Sequence, residues 1–155
     1  MRRLLATLVI LFVAVAAPLP ASAAPDDDVD PAIRYALAQV EGGVVVADDR
    51  VVWPAIGMEL RLASTGARAE ALASVGRCPS GRVCAFESTA GAGTMLSWTG
   101  CSNYSTAALV STGSIANART SGTLHARNGA TIVATAGPGA LVNVYAASDN
   151  VRCVP

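Results

Sequence analysis

A chain of 155 residues has room for one modest domain, or for a small domain with added segments. Its 11 basic side chains, all arginine, balance 11 acidic ones, and charged residues make up only 14% of the total; this excludes a nucleic-acid binder that works through a bulk positive field. The 52% apolar fraction excludes wholesale disorder, and a single histidine, His125, excludes a multi-histidine metal site.

The N-terminus reads as a targeting segment. Met1-Arg2-Arg3 is a short basic start, Leu4 to Ala17 is an uninterrupted apolar run, and Ala21-Ser22-Ala23 presents small residues for cleavage. Residues 1–23 are therefore expected to be a secretory signal peptide. The run is shorter than the roughly 20 residues that a spanning helix needs, so no stable membrane anchor is expected after cleavage. Loss of Arg2 and Arg3 leaves a slightly acidic mature chain, secreted and extracellular.

Export decides how the cysteines read. Cys78, Cys84, Cys101 and Cys153 are even in number in a small exported chain, so two disulfides are expected. Three pairings are open. Cys78–Cys84 and Cys101–Cys153 are favoured, because Pro79-Ser80-Gly81 makes a turn that folds the first cysteine back on the second. A metal site lacks both C-x2-C spacing and a histidine partner, so no metal and no cofactor are expected.

Residues 24–76 form the first unit in chain order. Asp30-Pro31 predicts a helix start, with aspartate as N-cap and proline at the first helical position. Ile33, Leu37 and Val40 give it an apolar face, and Gly42-Gly43 stops it. Val44 to Val46 and Val51 to Trp53 flank Ala47-Asp48-Asp49-Arg50 as a β-hairpin, and Met58 to Leu62 alternates as a half-buried strand. Ala63 to Gly76 is small and alanine-rich and reads as a linker.

Residues 77–155 read as short strands separated by glycine turns. Val83 to Glu87, Thr94 to Trp98, Thr123 to Arg127, Ala130 to Thr135, Ala140 to Tyr145 and Val151 to Cys153 are the expected strands. Asn128-Gly129 is a two-residue hairpin signal that places His125 opposite Ile132. Strands this short and regular argue for a sandwich or barrel. Thr89 to Leu96 also resembles Thr135 to Val142, as a duplicated Greek key would produce. With so few aromatics, disulfides are expected to substitute for an aromatic core.

The segment Cys78-Pro79-Ser80-Gly81-Arg82-Val83-Cys84-Ala85-Phe86-Glu87 resembles the opening of the secreted actinobacterial peptidase inhibitors of the SMPI type, a bacterial metalloproteinase-inhibitor family. Their pattern is Cys-Pro-x-Gly-x-x-Cys-x-aromatic, then a polar turn ending in glycine, here Gly93. Ser114-Ile115-Ala116-Asn117 is similar to the family's step between two Greek keys. Gly91 stands where the family's turn usually carries an aromatic. The resemblance covers residues 77–155 and implies a mainly β fold, a βγ-crystallin-like Greek-key β-sandwich preceded here by the small α+β segment. It implies an extracellular protease as partner and no enzymatic activity, and it assigns no inhibitory loop.

The residues themselves agree with a scaffold more than with a catalyst. His125 sits on a strand, no G-x-S-x-G is present, Asp48-Asp49 suits a turn, and Glu87 ends a strand. No catalytic residue is assigned. Ser148-Asp149-Asn150 and Ser102-Asn103-Tyr104-Ser105 offer oxygen ligands for calcium but few carboxylates, and suit turns better. An inhibitor must present a loop rigidly, so that binding costs little ordering entropy. Thr99 to Gly113, tethered by Cys101, and Ala146 to Asn150, tethered by Cys153, are the loops that rigidity favours. The alternative is a non-inhibitory extracellular binding module for calcium, cell wall or another protein.

Overall fold

The computed structural model describes residues 29–63 and 75–155. The signal segment and most of the linker lie outside the described residues. Helix α1 (Pro31–Gln39) starts as its sequence dictates: the Asp30 carboxylate accepts the Ala32 N–H at 2.8 Å, with proline in the first turn. Ile33 and Ala36 are its buried residues, and Leu37 and Val40 pack beside them. Strands β1 (Val44–Ala47) and β2 (Arg50–Trp53) make the hairpin around Asp48 and Asp49, and β3 (Met58–Arg61) pairs with β2.

Eight strands follow: β4 (Val83–Phe86), β5 (Met95–Trp98), β6 (Asn103–Ser105), β7 (Ser114–Asn117), β8 (Thr123–Asn128), β9 (Thr131–Ala136), β10 (Ala140–Asn143) and β11 (Asn150–Val154). They form two antiparallel sheets, ordered β1-β2-β3-β5-β4-β7-β10 and β6-β11-β8-β9. Strands β4 to β7 and β8 to β11 are two Greek-key units of one plan. In each unit the fourth strand lies beside the first and the second lies beyond it, while the third crosses to the other unit's sheet. Thus β6 pairs with β11, and β10 pairs with β7.

Two sequence expectations change here. Thr89 to Leu96 leads into β5, a second strand, whereas Thr135 to Val142 leads into β10, a third strand. Their likeness therefore records two glycine-rich turns before apolar strands, and the equivalent first strands are β4 and β8. In the β8–β9 hairpin His125 faces Thr135, not Ile132. Positive φ falls on Gly129 alone, so the two-residue turn is Gly129-Ala130 and Asn128 pairs with Thr131. A bulge beyond Arg127 then shifts the register once more. Strands β6 and β7 show no strand periodicity in the sequence, because β6 is three residues long and β7 is buried on both faces, which erases alternation.

The core lies between the sheets. Val83, Ala85, Leu96, Trp98 and Ile115 from the first sheet meet Leu124, Ala126, Ala136 and Val151 from the second. Trp53 and Trp98 lie in this core and are among the largest fully buried side chains, whereas Tyr145 is exposed. On the outer face of the first sheet the Cys78–Cys84 bridge covers Phe86, Met95 and Ala116. Cys101–Cys153 ties the start of β6 to the end of β11 across a Cα separation of 4.9 Å. By loop-entropy arithmetic the second bridge, closing the longer loop, stabilises by about 4 kcal/mol and the first by about 2 kcal/mol. Replacing Cys101 and Cys153 together with alanine is expected to lower urea-unfolding stability about twice as much as replacing Cys78 and Cys84.

The N-terminal strands join the first sheet through β3, which pairs with β5 along Met58 to Arg61. Glu59 on β3 is nearly buried and bridges Arg61 at 2.6 Å and Arg82 at 3.0 Å, with Arg50 at 3.9 Å. Arg82 also donates to Ser97 Oγ on β5 at 3.0 Å, and its pairing with Glu59 fastens the turn of the Cys78–Cys84 loop to the N-terminal strands. Burial would raise the Glu59 pKa, but the hydrogen bond from Arg61 and the charges of Arg61, Arg82 and Arg50 outweigh it and hold the carboxyl below its usual range. A depressed carboxyl contributes stability above its unfolded pKa of about 4.3 and loses it as pH falls through the folded value. Glu59→Gln is therefore expected to be less stable than wild type at pH 7 in urea denaturation, with the gap narrowing below about pH 4.

Candidate functional site

Crossing of the third strands leaves two return loops, residues 106–113 between β6 and β7 and residues 144–149 between β10 and β11. Reciprocal backbone bonds join them. Thr106 N–H donates to the Asp149 carbonyl at 3.1 Å, and Val144 N–H donates to the Gly113 carbonyl at 2.9 Å. The first residue of each loop meets the last residue of the other, so the loops run side by side in opposite directions across one end of the sandwich. Segments Thr99 to Gly113 and Ala146 to Asn150, far apart in sequence, are brought together.

Each loop divides its side chains between core and solvent. Ala108, Leu109 and Val144 are buried and close this end of the core. Val110 is 71% exposed and Tyr145 is 88% exposed, more than any other large apolar side chain among the described residues. Single exposed apolar residues are ordinary; the two most exposed ones standing on paired loops are not. A groove of about 510 Å³ runs beside them, lined by Ser105 to Ala107, Leu109 to Thr112 and Ser148 to Asn150.

The loop bases are fastened at several points. Asn143 Oδ1 accepts the Ala90 N–H at 2.7 Å, and its Nδ2 donates to Tyr145 Oη at 3.1 Å. Both Asp149 carboxylate oxygens accept the Gly129 N–H, at 3.0 and 3.2 Å, and Asn150 Nδ2 donates to Asp149 Oδ1 and to the Gly129 carbonyl. The Gly129 N–H, then the Asn150 amide, hold the Asp149 carboxyl below its ordinary pKa. Ser111 Oγ donates to the Glu87 carbonyl at 3.1 Å. A Cβ at Gly113 would come within 2.5 Å of the Ser88 backbone, so only glycine lets the first loop pass the β4–β5 turn. Ser114 Oγ donates to the Ser88 carbonyl and accepts the Gly91 N–H, while Asn117 Nδ2 donates to the Gly122 carbonyl; these bonds explain the Ser and Asn of the Ser114–Asn117 step.

Other residues singled out from sequence lie elsewhere. His125 is on β8, its ring nitrogens paired with Thr135 Oγ1 at 2.8 Å and Thr123 Oγ1 at 3.3 Å. Asp48 and Asp49 make the β1–β2 turn, and Glu87 caps the end of β4 by accepting the Thr94 N–H at 3.4 Å. Asn103 to Ser105 is strand β6, and the Asp149 carboxylate accepts the Gly129 N–H. Among the described residues no group of three or more His, Cys, Asp or Glu gathers. Cys101–Cys153 sits at the far end of the β6–β11 ladder from the loop tips, so it steadies them through the ladder and not directly. Sequence reasoning missed Asn143, whose only signal is a polar residue inside the apolar run Ala140 to Tyr145.

Residues 71–129 match the model of peptidase inhibitor family I36. The match bears out the resemblance carried by Cys78 to Glu87, and it spans the first Greek-key unit with the first strand of the second. An inhibitor family is not an enzyme family, in agreement with a paired strand histidine and no assigned catalytic residue. No curated protein and no solved structure matches the chain. Among the described residues no helix is long and apolar enough to cross a membrane. Because Asn143 links the first Greek-key unit to the second loop, Asn143→Ala is expected to cost about 1 kcal/mol of stability and to broaden the Tyr145 ring signals in NMR spectra.

Proposed function

We propose that this protein is a secreted inhibitor of metalloproteases that offers its two return loops, with the exposed Val110 and Tyr145, to the enzyme. The observation that carries the reading is the pairing of these loops on a domain of a peptidase inhibitor family. Rigid loops suit the task because little ordering entropy is lost on binding. An exposed tyrosine supplies a large contact area with few rotatable bonds, the profile of an interface anchor. Preference for metalloproteases rests on the SMPI-type pattern at Cys78 to Glu87. Secretion is supported by the N-terminal signal pattern and by two disulfides.

Inhibition constants of the mature protein against a thermolysin-like metalloprotease and a subtilisin-like serine protease test the reading. Inhibition of the metalloprotease is expected, and Tyr145→Ala is expected to weaken it by about 30-fold, the cost of losing a 2 kcal/mol anchor. Val110→Ala is expected to weaken it less, with thermal unfolding of both variants unchanged. Inhibition that survives both replacements would sink the loop assignment, and inhibition of the serine protease alone would sink the target class.

A further inference from the structure

The groove beside the return loops carries a single ionic group. Asp149 is the one charged residue on its wall, and among the described residues no arginine comes within ion-pair distance of that carboxylate. Asp149 is exposed, and its bonds from Gly129 and Asn150 fix its orientation and keep it ionised. A carboxylate has about four lone-pair sites. Oδ1 uses its two on the Gly129 N–H at 3.0 Å and the Asn150 amide at 2.6 Å, and Oδ2 uses one on the same Gly129 N–H at 3.2 Å. The remaining site is on Oδ2. Hydroxyls on the wall add acceptors: Ser111 and Ser148 spend their protons on the carbonyls of Glu87 at 3.1 Å and Asn150 at 3.3 Å. Ala107, Leu109 and Val110 give the groove an apolar side.

We propose that this groove receives a lysine side chain of the bound protease, with the ammonium on Asp149 Oδ2 and the methylene stem along Ala107, Leu109 and Val110. That a protease supplies the lysine rests on the proposed role of the return loops. An ammonium is a point charge whose donors turn freely, so one carboxylate lone pair suffices and hydroxyls or water take its other protons. The arginine fork needs an open lone pair on each oxygen for its bidentate grip, and Oδ1 has none. Calcium would need more anionic oxygen than one partly used carboxylate supplies. A second copy of this chain cannot offer the side chain, because the sequence contains no lysine.

Nα-acetyl-lysinamide serves as the probe. Titrated into the 15N-labelled protein, it is expected to shift the Gly129 N–H signal, with saturation at roughly tens of millimolar because exposed ion pairs are weak. Nα-acetyl-norleucinamide, of like shape without the charge, is expected to leave that signal in place, and Nα-acetyl-argininamide to bind about threefold more weakly. Asp149→Asn keeps an acceptor for Gly129 and is expected to abolish the lysinamide shift. The same variant is expected to associate with a thermolysin-like protease about threefold more slowly at low salt and at the wild-type rate at high salt, because an exposed charge acts on encounter. A Gly129 signal unmoved by lysinamide, or moved equally by the norleucine analogue or in Asp149→Asn, overturns the proposal. Equal or tighter binding of argininamide overturns the choice of lysine, and a low-salt association rate unchanged in Asp149→Asn overturns the protease as its source. The titration needs no protease, so absence of any inhibition strikes the role of the loops without touching the groove.

Discussion

The reciprocal crossing of β6 and β10 between the two sheets is the constraint on which the rest of the molecule depends. Each Greek-key unit completes the other's sheet, so neither sheet is whole without both units. The crossing also dictates where the return loops go. A third strand that has changed sheets must come back to the fourth strand of its own unit, and the two return paths share one end of the sandwich. The hydrogen bonds Thr106–Asp149 and Val144–Gly113 are the last rungs of the ladders that the crossing creates. Loop pairing is thus a consequence of topology, and the exposure of Val110 and Tyr145 follows from filling the core end with Leu109 and Val144.

The N-terminal segment breaks this near-symmetry. Strand β5 and strand β9 are the second strands of their units and would both be sheet edges. Strand β3 covers β5, whereas β9 stays at an edge. The contact is more than backbone pairing, because Glu59 carries its charge into a nearly buried place beside three arginines. Leaving any of these charges alone there would be costly, so the segment and the Cys78–Cys84 turn are held to one arrangement.

Local signals in the chain were read well where one residue's chemistry decides the outcome. Asp30-Pro31 starts a helix because a carboxylate caps free N–H groups and proline needs none. Asp48-Asp49 and Pro79-Ser80-Gly81 make turns, and alternation marks β3. Legibility ended where the outcome depends on distant partners. Strand β7 shows no alternation because both its faces are buried. The register of His125 depends on which of two adjacent positions the turn takes, set by positive φ at Gly129, and on the bulge between Ala126 and Arg127, neither of which Asn128-Gly129 reveals. Asn143 was invisible as a link because its partners, Ala90 and Tyr145, belong to different units.

By itself the sequence determined the class of the molecule: a low-charge chain of short strands, four cysteines and the inhibitor-type pattern at Cys78 to Glu87. These follow from composition and from interactions within a few residues, which a linear text records. Only the tertiary structure decided that the third strands cross, that residues 106–113 and 144–149 run together, and that both tryptophans sit at the centre while Tyr145 faces solvent. Those outcomes are set by burial of apolar faces across the whole chain. Long-range packing chooses among strand orders that local propensity leaves equal.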